Sequence, residues 1–412
     1  MKNTRFIKIF LSIIILILLP VSLLAFDFGL TANIYTGYGN DQTEENEFDF
    51  KANLWPRLTL LIDDNAEFFV SFGLSVDKNK NPVFIPELLR TEFSMRFGNA
   101  GFKVGRINYS DPLSFIASGL FDGVHCYLNS NMGRFSAGAW YTGLLYKETA
   151  NITMTKNDQD IYGTLFEYDK FSETYFAPEK LIASLEWNHP SIGELLNLNA
   201  AAVFQYDFFN EAGQYHNQYI IIKAGLPINS FFLELGGAVE FSQEKTDKGV
   251  ESNAAFAGDF VFSWLPQTAA NSRLSLNFKI AGGKDEDGKF TAFTPITTNY
   301  FGNILQIKMS GLSLLGLNYT MRISREIGTA ITASYFIRND LGTVRGYPVK
   351  EENQEEKVYF LGPEIFARLI WSPLSDTQFN LGAGAFFPML GNAGPDEAIR
   401  WRVELSATLS LY

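Results

Sequence analysis

Cations recur in this chain at alternate positions of short, two-faced segments. Lys51, Arg57, Arg90, Arg96, Lys103, Lys223, Arg273 and Lys279 fall on the polar side of such segments. So do Lys308, Arg322, Arg338, Arg368, Arg400 and Arg402. The acids on the same sides are Asp49, Glu92, Glu186, Glu234, Asp259, Glu364 and Glu404, so bases lead roughly two to one. If these sides share one aqueous space, a cationic wall raises the local concentration of anions and lowers their barrier to passage. The plainer alternative has equal weight: the charges solvate the wall and pair across strands, and a single bulge would reverse several facings.

A second candidate is the loop 109–120, YSDPLSFIASGL, which is apolar where an exposed loop should be polar. Folded into a central opening it would narrow that opening, with Asp111, Phe115 and Asp122 as its constriction residues and Arg106 just before it. Packing against a loop rim is the equal alternative. Catalysis has little to stand on. A hydrolase would need a nucleophile beside a base and an orienting third group. Of the three histidines, His125 has no serine two residues away on the same face, His189 sits in a turn beside Pro190, and His216 begins a strand near a loop. No metal cluster or phosphate loop has supporting context, so no enzyme, cofactor or metal is expected.

The elements that must position these residues are strands. Residues 400–412, RWRVELSATLSLY, put Trp401, Val403, Leu405, Ala407, Leu409 and Leu411 on one side of an extended chain. The charged and hydroxylated residues fall on the other. The same alternation appears at 26–38, 48–62, 68–76, 89–97, 101–108, 121–129, 133–145, 179–188 and 194–208. It continues at 215–226, 230–242, 251–265, 271–282, 305–323, 327–339, 357–371 and 377–387. With the last segment there are 18 candidates.

Short connections carrying Gly, Asn, Asp and Pro alternate with longer polar ones through the whole series. The short ones include 63–65, 98–100, 130–132, 189–191 and 227–229; the long ones include 77–87, 109–120, 146–178, 243–250, 283–304 and 340–356. An even strand number with short turns on one rim and long loops on the other predicts an all-β fold, an antiparallel transmembrane β-barrel of about 18 strands (16–18). The short turns would be periplasmic and the long loops extracellular. A closed sheet pairs every backbone N–H and C=O in hydrocarbon without leaving an edge. A barrel of this size leaves an aqueous channel. A soluble sandwich would have to bury 18 apolar faces in two sheets. Trp187, Trp264 and Trp371, beside short turns, suit an interfacial girdle.

Lys2, Arg5 and Lys8, the apolar run 7–24 and the small Ser22 and Ala25 have the layout of a signal peptide. Residues 1–25 are therefore expected to be cleaved near Ala25, leaving 26–412 as a single barrel in a bacterial outer membrane. Aromatics make up 15% of the chain, more than one ordinary core requires. The net charge of −12 argues against nucleic acid as a partner. The excess acid sits in long loops, such as 285–287 and 351–356. Cys126 is the only cysteine, so no intramolecular disulfide is possible.

The stretch GRINYSDPLSFIASGLFDG resembles a strand–loop–strand of porin-like outer-membrane proteins. Residues 361–391, LGPEIFARLIWSPLSDTQFNLGAGAFFPMLG, are similar to the end of alginate-export-like barrels. That resemblance implies an 18-stranded channel with an Arg/Lys-lined lumen, and it carries over no substrate residue. The C-terminal strand also resembles the signal read by the outer-membrane assembly machinery, although here Leu411 rather than Tyr412 shares the apolar face. Together these observations point to passive diffusion of small hydrophilic solutes, anionic ones among them, with outer-membrane lipid and the assembly machinery as partners. The pore-lining candidates are Arg57, Arg90, Arg96, Lys103, Lys223, Arg273, Lys279, Lys308, Arg322, Arg368 and Arg402. Two other readings compete: an adhesin that binds through loop 146–178, and a barrel that passes hydrophobic ligands.

Overall fold

A computed structural model describes residues 25–40, 45–79, 84–208, 213–266, 271–284, 291–340, 359–393 and 398–411. The first strands are β1 (Ala25–Gly39), β2 (Glu47–Asp63), β3 (Ala66–Asp77), β4 (Phe84–Phe97), β5 (Ala100–Ser110), β6 (Ser118–Ser130) and β7 (Gly133–Tyr141). Next come β8 (Lys180–Ile192), β9 (Leu196–Asp207), β10 (Tyr215–Ile228), β11 (Phe231–Thr246), β12 (Gly249–Trp264) and β13 (Arg273–Ala281). A two-residue hairpin, β14 (Tyr300–Phe301) and β15 (Ile307–Lys308), lies inside a connection. The series ends with β16 (Leu312–Arg322), β17 (Ile327–Arg338), β18 (Phe360–Leu374), β19 (Thr377–Phe386) and β20 (Arg400–Leu411).

All strands but the small hairpin form one 18-stranded antiparallel sheet, each paired with its neighbour in sequence. The sheet closes because β20 pairs with β1, in a register that runs from Leu30 opposite Leu411 to Gly39 opposite Arg402. Closure removes both edges, so no row of unpaired backbone groups remains along the wall.

Period-two alternation sets which residues point out. Phe26, Phe28, Ile34 and Tyr38 of β1 are exposed, as are Val403, Leu405, Leu409 and Leu411 of β20. Leu235, Ile220 and Ile222 are also open, with Leu235 61% exposed, although each belongs to a full-length paired strand. An exposed apolar belt of this extent far exceeds the patches that soluble monomers tolerate. It is the surface a hydrocarbon layer would cover. Trp264 and Trp371 stand out near the short-turn rim, and Trp371 stacks on Phe379 at 5.3 Å. At the opposite rim Tyr38 meets Trp401 edge-on at 5.6 Å.

The strand count and the sorting of connections match the sequence expectation, but several boundaries move. Residues 243–250, expected as a long loop, are a tight turn at Asp247–Lys248 because β11 and β12 continue pairing to Thr246 and Gly249. The turn expected at 189–191 lies at 193–195, since β8 runs on through a register shift between His189 and Ile192. The segment expected at 305–323 begins as a strand only at Leu312. The acidic stretches 285–287 and 351–356, and Tyr412, lie outside the described residues.

Candidate functional site

Three connections on the long-loop rim fold into the barrel. The first, 111–117, is built around Asp111. Its carboxylate accepts backbone N–H groups from Leu113 (2.7 Å), Ser114 (3.0 Å), Ile116 (2.9 Å) and Ala117 (2.8 Å). Burial pushes this carboxyl above the usual range, and the four N–H groups pull it part of the way back. Asp111 therefore closes its own loop and offers little charge to a pore. Leu113 lies against Gly236 on the inner face of β11, where a Cβ would collide with its methyl group. Phe115 meets Phe293 and Phe301 edge-on, each at 6.4 Å.

The second connection, 142–179, and the third, 282–311, lock onto the first. Thr297 N donates to Ile116 O at 3.0 Å, and Ser118 N donates to Thr297 Oγ1 at 2.9 Å. Ile152 bridges Thr297 across the second and third connections. Thr153 N donates to Ile296 O at 2.9 Å, and Thr298 N donates to Asn151 O at 2.6 Å. Phe115, Ile116, Ile152, Phe293, Ile296, Ile304 and Ile307 share one buried apolar cluster with Val203, Tyr219, Ile221 and Phe336 of the wall. Side chains that would otherwise face a wet lumen are thus kept dry by the loops.

Charged wall residues fix this bundle in place. Glu240 of β11 accepts from Thr294 N at 2.8 Å, Asn217 Nδ2 at 2.8 Å and Tyr215 OH at 3.1 Å. Glu364 of β18 accepts from the N–H groups of Asn303 (2.6 Å), Ile304 (3.0 Å) and Leu305 (2.9 Å). Lys180 of β8 is 1% exposed and pairs at 2.9 Å with Asp158, on the short helix Lys156–Tyr162. Lys279 pairs with Asp259 at 2.7 Å and sits 5.0 Å above the Phe115 ring.

The bundle reaches β4 on one side, through Thr149 to Glu87 and through Tyr175 OH to Pro86 O, and β18 on the other, through Glu364. The inner wall between them, from β18 through β20 and β1 to β5, holds most of the expected cations. Arg402 lies over Gly37, where only the absence of a Cβ leaves room, and bonds Tyr35 OH at 3.0 Å and Asp49. Arg368 pairs with Glu404 at 3.0 Å. Arg90 (2.6 Å) and Lys103 (2.9 Å) share the single carboxylate of Glu92, so charge on this stretch is not balanced one for one. Lys51 reaches Asp77 at 3.4 Å. Arg57 lies across Gly29, and Arg96 is exposed near the short-turn rim with no side-chain partner among the described residues.

The remaining expected positions fall elsewhere. Lys223 pairs with Glu234 at 3.1 Å on the loop-covered side. Arg273 bonds the hydroxyls of Ser263 and Ser275 at the short-turn end of β13. Arg322 closes its own turn by donating to Ser324 O and Arg325 O. Lys308 is corrected: it belongs to the hairpin β14–β15 within the third inward connection, because pairing of β16 begins only at Leu312. Asp122 is also corrected. It is a β6 residue on the face of exposed Val124 rather than that of buried Phe121, and it takes Arg106 Nε at 2.9 Å and Nη2 at 2.8 Å. Arg338, expected on the lumen wall, is buried and donates to Asp340 O.

Nothing in the sequence singles out Glu240 or Lys180, and alternation alone puts Glu364 on a polar face without indicating a partner. The available signal was local: AAAV at 200–203 and YIII at 219–222 lose polar alternation, as strands do when both faces are covered. Each histidine has a packing or hydrogen-bonding role. His125 lies parallel to Trp140 at 6.2 Å, His189 Nδ1 accepts from Ser191 N, and His216 Nδ1 accepts from Asp207 N. Among the described residues no group of three or more His, Cys, Asp or Glu side chains could hold a metal ion.

A closed 18-stranded antiparallel barrel with an apolar outer belt and short turns on one rim is the fold of outer-membrane porins. The outer membrane protein OpdK of Pseudomonas aeruginosa is similar to this chain, with a TM-score of 0.62 at 10% identity over 94% of this chain and 98% of that one. OccK2 (OpdF) of the same organism, solved in complex with glucuronate, gives 0.60 at 12% identity over 94% and 98%. OpdK with vanillate gives 0.60 at 9% identity over 94% and 98%. No protein-family model matches the sequence, and no curated protein matches it. The likeness of residues 361–391 to alginate-export-like barrels rests on the sequence alone.

Proposed function

We propose that this chain is an outer-membrane channel for passive diffusion of small hydrophilic anions. The observation that carries the reading is the division of the inner wall. A locked loop bundle fills one side, and the uncovered side carries cations at successive heights. Arg402 stands near the long-loop rim, Arg90, Lys103 and Arg368 stand further in, and Arg57 and Arg96 lie toward the short turns. An anion moving along this wall would pass from one cation to the next, and the shared Glu92 leaves the stretch net positive. The loop bundle, with Phe115 at its centre, would set the aperture. The two ligands named with the similar Pseudomonas channels, glucuronate and vanillate, are both carboxylates, which supports the same class here.

In this reading residues 1–25 are an export signal cleaved near Ala25, the apolar belt meets lipid, and the assembly machinery recognises β20. The test is planar-bilayer recording of the refolded protein under a salt gradient. Discrete openings with chloride favoured over potassium are expected. An absence of openings would discard the channel, and clear cation selectivity would discard the role of the basic wall.

A further inference from the structure

A cavity of about 590 Å³ lies between the second and third inward connections and is separate from the cationic wall strands. Lys147, Lys156 and Lys308 line it, against one carboxylate, Glu148. Gln159 and Tyr300 add an amide and a phenol. The three lysines are not equivalent. Lys147 Nζ is held by Tyr162 O at 2.8 Å and by Thr164 O, so much of its donor capacity is used inside the loop. Lys308 Nζ lies 5.8 Å from the centre of the Tyr300 ring and has a further partner, so it is held in place on the hairpin. Lys156 has no hydrogen-bond or ion-pair partner among the described residues.

We propose that this cavity is an outer binding site for a small organic anion, with the carboxylate between Lys156 and Lys308 and a polar body against Gln159 and Tyr300. Its volume exceeds what a bare inorganic ion needs. Mixed amide and phenol groups suit a solute carrying hydroxyls as well as charge. The loops that form the cavity are anchored at β4 and β18, the two borders of the uncovered wall, so a bound anion would be held beside the route rather than within it. Lys156, Gln159 and Tyr300 are exposed, so the site opens to solvent and its two ammonium groups attract anions there. The inference rests on the channel reading but concerns a distinct set of residues.

The experiment uses the full refolded chain in a planar bilayer, with sodium gluconate added to each side in turn while chloride current is recorded. Gluconate is expected to reduce the current at lower concentration from the long-loop side, whereas sorbitol, its uncharged counterpart, has no effect. The Lys156→Met, Lys308→Met double variant should raise the half-blocking concentration on that side about ten-fold, the loss of roughly one ion pair's worth of binding. The chloride-to-potassium permeability ratio should not change, and Lys156→Arg should block like the unmodified chain. Should the double variant fail to assemble, Lys156→Met alone reads the same shift, because that side chain supports no other described residue. Unchanged block in these variants overturns the outer site and leaves the channel standing. A wild-type chain without discrete openings overturns the channel reading instead, and it is measured without gluconate.

Discussion

The two arcs of the inner wall obey different rules although they belong to one closed sheet. From β18 through β20 and β1 to β5 most inward residues are polar, Phe366 and Phe386 being exceptions, and Arg57 and Arg402 lie across Gly29 and Gly37. From β8 to β17 many inward residues are apolar and fully buried, among them Ile182, Val203, Tyr219, Ile221 and Phe336. Burial alone does not explain the contrast, since both arcs have the same backbone pairing. What differs is the facing material: water on one side and a loop bundle on the other. Where loops pack, a carboxyl group persists only with several hydrogen-bond partners, as Glu240 and Glu364 have.

The contrast can be broken most strongly at Lys180. Lys180→Met leaves Asp158 buried without its partner, which typically costs about 3–5 kcal/mol. The second connection should then become open to limited proteolysis while the barrel stays intact, and Lys180→Met combined with Asp158→Leu should restore much of the protection. Protection that persists in the single variant would show that the pair does not hold the loop.

Glu364→Ala removes the acceptor of three N–H groups, each charge-assisted bond being worth about 1.5–3 kcal/mol. Single-channel conductance should rise as the third connection loosens, and no change in conductance would separate this clamp from the aperture. On the uncovered arc, Arg90→Glu together with Lys103→Glu should lower the chloride-to-potassium permeability ratio by about ten-fold, at a cost in thermal stability because buried Glu92 loses both partners. An unaltered ratio would place selectivity elsewhere.

A smaller effect is expected outside. Leu411→Asp on the outer face near the short-turn rim should cost about 1 kcal/mol or less, as charged substitutions do near an interface. Deleting Tyr412 tests the other half of that expectation. If assembly tolerates the deletion and fails with Leu411→Asp, the recognition signal lies in the apolar face, and the reverse result would move it to the terminal aromatic.

Much of the barrel was legible because alternation is a local property. The facing of β20 follows from RWRVELSATLSL alone: Val403, Leu405, Leu409 and Leu411 are exposed, and Arg402 and Glu404 pair inward. Arg90, Lys103 and Arg368 were placed on polar faces by the same rule and are found in ion pairs with wall carboxylates. The loops were harder to read. Apolar YSDPLSFIASGL marks one inward segment, but its sequence does not distinguish Asp111 as a pore charge from the carboxylate that closes the loop through four backbone N–H groups. Nothing near Glu364 in sequence announces Asn303, Ile304 and Leu305, some 60 residues away.

The sequence by itself determined the class of fold, the even strand number, the two rims and the face of most strand residues. Each of these depends on neighbours within a dozen positions and on the two-residue period of an extended chain. Only the tertiary structure decided which inward charges meet water, which cradle a loop, and which arc of the wall stays open. Those outcomes depend on chain segments brought together across the barrel, and no local pattern encodes which distant carboxylate or carbonyl will be there.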